Sequence, residues 1–439
     1  MGRRRERSSS RTERTVPMGV ADGVSFTARL AATLLAILLL ALLGRRAARL
    51  LRQPEVVGEI MAGLFAGPFI VAFFGTDVLH SLLPAGTLGT LKLVSEGGLA
   101  LFLVGTTHKL RLGVQRTVRR AAGPVALGAF VLPLVTGALL AGWLVWRGDA
   151  DVRGHAPASA VVLMVAVSLS ITAVPVLARI LEERGMLGSV TGRVAMFAAI
   201  LIDIAGWVLL SIAVGLASGS PAGFLRSMEV LAAGALLALG ARRALGSRLG
   251  TGMVTRARRR TALVIGALAI TLAFASERLG LTAVFGAVLL GLAVPATDSA
   301  PWESAVASVT RAGRGLVPVF FAVTGVTVLT AGFDDTPWGL VVVTVVLGAL
   351  SKVGGGYLGA RLGGQERRES LRIGVLMNTR GLTELVVLKV GYSAGVLSPP
   401  LFLAMVVMAL TTTAMTGPCL QLLKTREPRA ERVSAGAVT

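Results

Sequence analysis

The stretch SLSITAVPVLARI, residues 168–180, is decisive for the fold of this chain. It lies inside an apolar run, yet Pro175 cannot donate its backbone hydrogen bond, and Ser168, Ser170 and Thr172 come just before it. One such proline predicts an ordinary helix kink. The interpretation therefore depends on whether the chain contains a second break at a related position.

The composition predicts a membrane protein that crosses the bilayer many times. Of its 439 residues, 54% are hydrophobic and 15% charged, and the mean hydropathy is +0.76, far from the composition of a soluble domain. The net charge of +21 comes from residues spread among short loops, so no nucleic-acid partner is expected. One cysteine, Cys419, excludes an internal disulfide, and the histidines show no metal-ligand spacing, so no cofactor is expected.

Apolar runs long enough to cross a hydrocarbon core of roughly 30 Å recur along the chain. We expect residues 1–24 to form a disordered basic tail, 25–424 an all-α transmembrane domain, and 425–439 a short cytoplasmic tail. The thirteen predicted spans lie near residues 25–43, 55–75, 86–105, 121–146, 158–181, 191–217, 226–241, 261–276, 281–295, 315–331, 338–360, 371–391 and 399–423.

The loops predict the orientation of the chain in the cell membrane. Alternate loops are rich in arginine and lysine, whereas the intervening loops hold only Arg147, Arg153, Arg226 and Arg278. By the positive-inside rule the basic loops face the cytoplasm. This puts the C-terminus inside and the N-terminus outside. The arginine-rich start MGRRRERSSSRTER disagrees, and we give more weight to the loops because they agree with one another.

Two pairs of spans echo each other seven spans apart. The segments GEIMAGLFAGP (58–68) and GAVLLGLAVP (286–295) each carry two glycines five positions apart before a proline. The segments LALFLVGTT (99–107) and VPVFFAVTG (317–325) each close on glycine and threonine. An odd offset sends equivalent spans across the membrane in opposite directions, which is the inverted-topology repeat of many secondary transporters.

The same offset supplies the second break. The partner of SLSITAVPVLARI is GVLMNTRGLTELVV (374–387), where Asn378, Thr379, Arg380 and Gly381 interrupt the apolar pattern. Two breaks at related positions predict two discontinuous helices, whose ends place partial charges in the middle of the membrane.

The segment AAILIDIAGW (198–207) places a carboxylate, Asp203, in an otherwise uncharged span. An unpaired charge at the bilayer centre costs at least ~2.5–3.5 kcal/mol, so Asp203 is expected to face the protein interior and mark an ion path. A short loop joins this span to the first broken one, so Asp203 should lie at the depth of Thr172 and Ser170. Since burial disfavours a charged carboxylate, competition between a cation and a proton can couple their opposite flows. A structural aspartate that caps a neighbouring helix is the alternative.

Three other charges lie in apolar spans. Lys352 sits among small residues in LGALSKVGGGYLGARL (347–362), and a lysine that reaches back to the surface is the alternative. Arg380 has Glu384 one turn later, a spacing suited to an internal ion pair. We expect Arg380 to be architectural rather than ion-binding.

These stretches resemble one family. The segments SITAVPVLARILEERGML (170–187), AAILIDIAGW, VFGAVLLGLAVP (284–295), PVFFAVTG (318–325) and above all MNTRGLTELVVLKVGYSAGVLSPPLF (377–402) are similar to the monovalent cation:proton antiporter-2 family. That family includes bacterial sodium/proton antiporters, potassium-efflux transporters and plant cation/proton exchangers. The resemblance covers about residues 25–423.

The resemblance implies a core domain with two crossing unwound helices, a dimerisation domain, an elevator-like movement and a homodimer. The core helices are expected near 86–217 and 315–423, and the dimerisation helices near 25–75 and 226–295. The family's ion-binding aspartate matches Asp203, and its membrane lysine matches Lys352.

One position departs from the family pattern. Many members have an acidic or amide residue immediately before the aspartate, where this chain has Ile202. With a single carboxylate we predict exchange of one Na⁺ or K⁺ per proton, without net charge movement. Two alternatives stay open: export of an organic ion on the same scaffold, and an intramembrane enzyme, which would need Glu384 as its second acid.

Overall fold

The computed structural model describes residues 20–51, 53–74, 85–111, 116–148, 156–218, 222–247, 258–279, 283–295, 300–328 and 338–425. Within these ranges every regular element is a helix, which confirms the predicted all-α fold. The helices are α1 (Val20–Leu50), α2 (Glu55–Phe74), α3 (Ala85–Arg111), α4 (Arg116–Arg147), α5 (Ala158–Ser170), α6 (Val174–Glu183), α7 (Val190–Ser218), α8 (Ala222–Leu245), α9 (Arg258–Arg278), α10 (Ala283–Ala293), α11 (Ala300–Arg314), α12 (Val317–Val328), α13 (Trp338–Leu362), α14 (Arg367–Met377), α15 (Leu382–Ser393) and α16 (Pro399–Thr425).

Many of these helices have the character of membrane spans. Among the described residues, 9 segments are long and apolar enough to cross a bilayer, and each overlaps a predicted span. The total of thirteen spans stays a prediction. Helix α1 begins at Val20, inside the stretch expected to be disordered, while the tails at 1–19 and 426–439 lie outside the described residues.

Helix α11 was not predicted as an element. Its buried residues Trp302, Ala305, Val306 and Val309 recur every three or four positions, and Arg311 on another face is exposed. This amphipathic pattern suits a helix that packs on one side only. A search for uniformly apolar runs passes over such a helix, which here packs along α3.

Close contacts at glycines repeat along the chain. A Cβ atom on Gly58 of α2 would collide with the carbonyl oxygen of Gly44 in α1. A Cβ atom on Gly286 of α10 would collide with the carbonyl oxygen of Leu272 in α9. Gly286 follows Gly58 in the sequence by the same number of positions as Leu272 follows Gly44. The two helix pairs therefore use equivalent glycines to approach each other.

A second pair of contacts follows the same repeat. Gly63 of α2 packs against the backbone of Ala322 in α12, and Gly291 of α10 packs against the carbonyl of Val104 in α3. Val104 and Ala322 are both the sixth residue of the echoed segments LALFLVGTT and VPVFFAVTG. The echoes thus correspond to equivalent sites of helix packing.

The helices pack into two groups. Helices α4, α5, α7, α13, α14 and α16 pack mainly on one another, and so do α1, α2, α3, α9, α10, α11 and α12. Helix α8 contacts α7 and α10. Helices α3 and α12, which the sequence analysis expected among the core helices, pack mainly with the second group.

Candidate functional site

The first break separates α5 from α6. Helix α5 ends at Ser170, and the cap residues Ile171 (φ −66°, ψ 146°) and Ala173 (φ −75°, ψ 100°) have extended backbones. Pro175 lies in the first turn of α6, where its missing N–H costs no helical hydrogen bond. The proline therefore starts a new helix, and the kink expected from a single proline is replaced by a real interruption.

The second break separates α14 from α15. Helix α14 ends at Met377, and Gly381 precedes α15 with φ 148° and ψ −132°. A Cβ atom on Gly381 would lie 2.7 Å from Cγ2 of Val176. Both the backbone conformation and the space therefore favour glycine at this position.

The two breaks lie against each other. The backbone N–H of Ala173 donates to the carbonyl of Thr379 over 3.3 Å. The hydroxyl of Thr172 donates to the carbonyl of Met377 over 3.4 Å. The predicted crossing of two discontinuous helices is therefore confirmed.

Two buried cations meet the carbonyl end of α5. Arg380 donates through Nη1 to the carbonyl of Ser168 (2.8 Å) and through Nη2 to that of Leu169 (2.6 Å). Lys352 donates through Nζ to the carbonyls of Ser170 and of Ala129 in α4, the latter over 2.9 Å. The last carbonyls of a helix lack partners within it and carry a partial negative charge. Lys352 and Arg380 therefore supply both the missing hydrogen-bond donors and a compensating positive charge.

Arg380 also forms the predicted ion pair with Glu384. Its Nη1 lies 3.0 Å from Oε1 of Glu384, and both side chains have 0% exposure. Lys352 is also 0% exposed, so the alternative of a lysine that reaches the surface is wrong. Among the described carboxylates, none lies within ion-pair distance of Lys352.

Neutral polar groups of α16 form hydrogen bonds with the chain at the second break. Asn378 donates through Nδ2 to the carbonyl of Thr412 over 3.0 Å. The hydroxyl of Thr413 accepts from the backbone N–H of Arg380 (2.9 Å) and donates to the carbonyl of the same residue (2.8 Å). The sequence analysis missed these threonines, although the run Thr411 to Thr413 in an apolar span was a visible signal.

Asp203 lies on α7 close to the first break. Asp203 is 6% exposed. Gly206, one turn later on α7, packs closely on Ile171, and a Cβ atom on Gly206 would lie 2.8 Å from Cγ1 of Ile171. The Oδ1 atom of Asp203 accepts no hydrogen bond from any described residue. The structure thus brings Asp203 near the break, as predicted, with a carboxylate oxygen unsatisfied.

The predicted hydroxyl ligands lie at the same break with their protons committed. Ser170 donates to the carbonyl of Ala166 over 2.7 Å, and Thr172 donates to Met377 as described above. Among the described residues, no hydrogen bond or ion pair joins Asp203 to Ser170, Thr172 or Lys352. Their oxygens keep lone pairs that a cation can use.

Four buried oxygens around the crossing lack a partner among the described residues. They are Oδ1 of Asp203, Oδ1 of Asn378, Oγ1 of Thr379 and Oε2 of Glu384. Buried polar atoms in proteins are nearly always paired, so such a group suggests a place for an ion, a proton or water. Within the described ranges, no cluster of three His, Cys, Asp or Glu could hold a resident metal ion.

A second charged cluster at the end of α6 joins this helix to α2 and α11. Arg179 lies 3.4 Å from Glu55 of α2 and 3.0 Å from Glu183, whose Oε2 accepts the backbone N–H of Glu55 over 3.0 Å. Arg314 of α11 pairs with Glu182 over 2.5 Å. Sequence reasoning did not find this cluster, because its members come from three separate helices.

Comparison with known proteins identifies relatives of this chain. The family described as "Sodium/hydrogen exchanger, transmembrane" matches residues 35–424. The chain is 30% identical over 385 residues to K(+)/H(+) antiporter 1 of Saccharomyces cerevisiae, covering 85% of this chain and 44% of that one. It is 31% identical over 373 residues to Na(+)/H(+) antiporter NhaS4 of Synechocystis, covering 84% and 90%.

A solved structure shows the same fold. The sodium proton antiporter MjNhaP1 of Methanocaldococcus jannaschii superposes with a TM-score of 0.65 at 14% identity, covering 92% of this chain and 98% of that one. The chain spans less than half the length of several relatives that it matches, the yeast protein among them.

Proposed function

This chain belongs to the sodium/hydrogen exchanger family, which confirms the resemblance found in the sequence, and we propose that it exchanges a monovalent cation, Na⁺ or K⁺, for H⁺ at Asp203. The observation that carries the proposal is the Asp203 carboxylate, buried beside the crossing of two broken helices with Oδ1 unsatisfied. Burial disfavours the charged form of an unpaired carboxylate, so the carboxylate takes up a counter-ion or a proton.

Competition at this carboxylate is sufficient for exchange. Asp203 releases its proton when a cation binds, and releases the cation when a proton binds, so each crossing of the membrane carries one or the other. Hydroxyl oxygens of the broken segments, at Thr172, Ser170 and Thr379, complete the oxygen shell of a dehydrated cation. Lys352, Arg380 and Glu384 hold this shell in place and do not themselves bind the cation.

The exchange is electroneutral in this proposal. Ile202, which is 1% exposed, supplies no second acid beside Asp203. Lys352 donates to two carbonyls instead of pairing with a carboxylate. One carboxylate therefore alternates between one proton and one cation.

The access to Asp203 alternates by an elevator-like movement of the group that contains α5, α7, α13, α14 and α16 against the other group. Helix α6 continues the broken span that begins with α5, so we expect it to move with that group and its ion pairs with α2 and α11 to break during the movement. The protein works as a homodimer whose second group forms the contact between subunits. The C-terminus faces the cytoplasm and the N-terminus the outside.

Members of this family are secondary transporters, so the chain is not an enzyme, and Glu384, the second acid that an enzyme would need, is held by Arg380. Export of an organic ion on the same scaffold is tested by including choline in the assay below.

The experiment measures proton movement in inverted membrane vesicles. The vesicles are acidified by respiration, and the recovery of an acid-quenched dye is followed after addition of Na⁺, K⁺, Li⁺ or choline. Wild-type protein is expected to restore fluorescence with Na⁺ or K⁺, and Asp203→Asn to abolish recovery, because an amide cannot hold a proton in exchange for a cation.

Two variants make this result specific. Glu229→Gln removes an exposed carboxylate of α8 and is expected to leave recovery unchanged. Asp203→Glu keeps the carboxylate and is expected to retain part of the activity. Normal recovery in Asp203→Asn would end the competition mechanism, and recovery with choline alone would favour organic-ion export.

The charge balance is tested in proteoliposomes without a pH gradient. An imposed membrane potential is expected to drive little cation uptake in wild-type protein. Steep voltage dependence would show that more than one proton moves per cation.

A further inference from the structure

Trp207 has no part in the exchange described above, although it lies one helical turn from Asp203. The two residues are four positions apart on α7, so their side chains share one face of the helix. A helical side chain points back toward the N-terminus of its helix, which directs the indole of Trp207 over the turn that carries Asp203. Both residues are buried, with 7% of Trp207 and 6% of Asp203 exposed.

The indole N–H and the carboxylate face each other without forming a complete hydrogen bond. The side chain of Trp207 lies within reach of the Asp203 carboxylate as a donor. Within the described ranges, however, Nε1 of Trp207 has no acceptor and Oδ1 of Asp203 has no donor. A buried indole N–H usually finds a partner. The two unsatisfied atoms are complementary, since one is a donor and the other an acceptor.

The indole is the more rigid of the two groups. Trp207 belongs to the same buried apolar cluster as Ile171 of the first break and Leu385 of α15. The terminal torsion of an aspartate, by contrast, has a broad range, so a small rotation of the carboxylate completes the bond. The packed ring therefore offers a donor at a fixed place, and the carboxylate adjusts to it.

Given the exchange proposed at Asp203, on which this role rests, we propose that Trp207 is a positioning residue for cation binding. Its indole N–H donates to one oxygen of the Asp203 carboxylate and leaves the other oxygen for the cation. A hydrogen bond to a carboxylate also favours the charged form, which is the form that binds a cation. Without this donor the carboxylate is less well oriented, and a higher concentration of cation is needed to occupy the site.

Packing alone is the other role that a buried tryptophan can have, and Trp302 of α11 supplies the matched control. Trp302 is 2% exposed, and its Nε1 also lacks an acceptor in the described part of the chain. Replacement of either tryptophan by phenylalanine keeps an aromatic ring and removes one unsatisfied indole N–H. A difference between the two variants therefore reports the contact with Asp203.

The test follows dye recovery in the vesicle assay at increasing concentrations of Na⁺ or K⁺, whichever the wild-type protein exchanges. Trp207→Phe is expected to raise the half-maximal cation concentration by about tenfold, because one hydrogen bond to a charged group is lost. The maximal rate is expected to change little. Trp302→Phe is expected to leave the half-maximal concentration unchanged.

A spectroscopic measurement keeps the proposal testable if Trp207→Phe does not fold. Four substitutions leave Trp207 as the only tryptophan of the chain, namely Trp143→Phe, Trp146→Phe, Trp302→Phe and Trp338→Phe. The emission of this protein in detergent is expected to change when the exchanged cation is added, because the charge beside the indole changes. Addition of Asp203→Asn to the same protein is expected to abolish the response.

The results that overturn this role differ from those that overturn the exchange itself. An unchanged half-maximal concentration in Trp207→Phe, or an equal rise in Trp302→Phe, would exclude the contact while wild-type protein still exchanges and Asp203→Asn does not. An emission of the single-tryptophan protein that ignores the cation would exclude it as well. Failure of the exchange at Asp203 would appear instead as normal recovery in Asp203→Asn.

Discussion

The two broken helices are equivalent in the repeat but are stabilised by different chemistry. At the first break the carbonyl end of α5 receives hydrogen bonds from two buried cations, Lys352 and Arg380. At the second break the segment after α14 is held by neutral groups, the hydroxyls of Thr172 and Thr413 and the amide of Asn378. The repeat therefore fixes where the chain breaks, and individual residues decide the local charge.

This difference has a consequence for ion binding. Positive charge on the α5 side makes that carbonyl end unavailable to a transported cation. The oxygens without a partner are instead on the segment after α14 and on Asp203. We therefore expect the transported cation to be bound by Asp203 and by hydroxyl oxygens at the crossing, with Lys352 and Arg380 acting as a scaffold.

The largest effect on the difference between the two breaks is expected from Arg380→Gln. This change leaves Glu384 buried without its counter-charge and removes the donors to Ser168 and Leu169. Breaking one partner of a buried pair costs about 3–5 kcal/mol. We expect a large fall in the midpoint of thermal unfolding in detergent.

The double variant Arg380→Gln with Glu384→Gln is the control. Because it leaves no uncompensated charge, it is expected to be more stable than Arg380→Gln alone. If the double variant were the less stable of the two, the ion pair would not be the source of the effect.

Lys352→Met tests the second cation. It removes two hydrogen bonds from a charged donor to carbonyls, but also removes the cost of burying that charge. We expect a loss of about 2–3 kcal/mol in stability, smaller than for Arg380→Gln. Lys352→Arg is expected to restore part of this stability, because a guanidinium can reach the same carbonyls.

The transport assay tests whether Lys352 has only a structural role. If Lys352 only supports α5, the folded Lys352→Met protein is expected to retain cation-dependent dye recovery. A variant that folds normally but has lost all exchange would give this lysine a direct part in proton movement.

Gly381→Ala tests the backbone of the second break. At φ 148° an alanine is strained, and its Cβ would press on Val176. We expect a loss of about 1–3 kcal/mol in stability. Gly364→Ala is the control for positive φ alone, since Gly364 has φ 78° and open space around it. Equal losses in the two variants would exclude the contact with Val176 as a cause.

The sequence was enough to predict the breaks, because proline and the run Asn378 to Gly381 disturb an apolar pattern visibly. It was also enough for the Arg380–Glu384 pair, which is local in the chain. It could not give the bonds from Lys352 and Arg380 to α5, because they join residues about 180 to 210 positions apart. Helix α11 was missed because its apolar residues cover only one face.

The packing groups show the same limit. Helices α3 and α12 belong to segments apolar enough to cross a membrane, and hydropathy alone does not show which spans pack together. Their place in the second group follows from contacts at Gly63 and Gly291 that only the folded chain reveals.

The smallest expected effects come from the neutral side. Thr413→Val leaves the buried N–H of Arg380 without its acceptor and should cost about 1 kcal/mol or slightly more. Thr172→Val removes a hydrogen bond of 3.4 Å and should cost about 0.5 kcal/mol. Since Thr172 is also proposed to offer its oxygen to the cation, this second variant should raise the cation concentration needed for half-maximal dye recovery more than Thr413→Val does. The reverse order would move the cation away from the first break and toward α16.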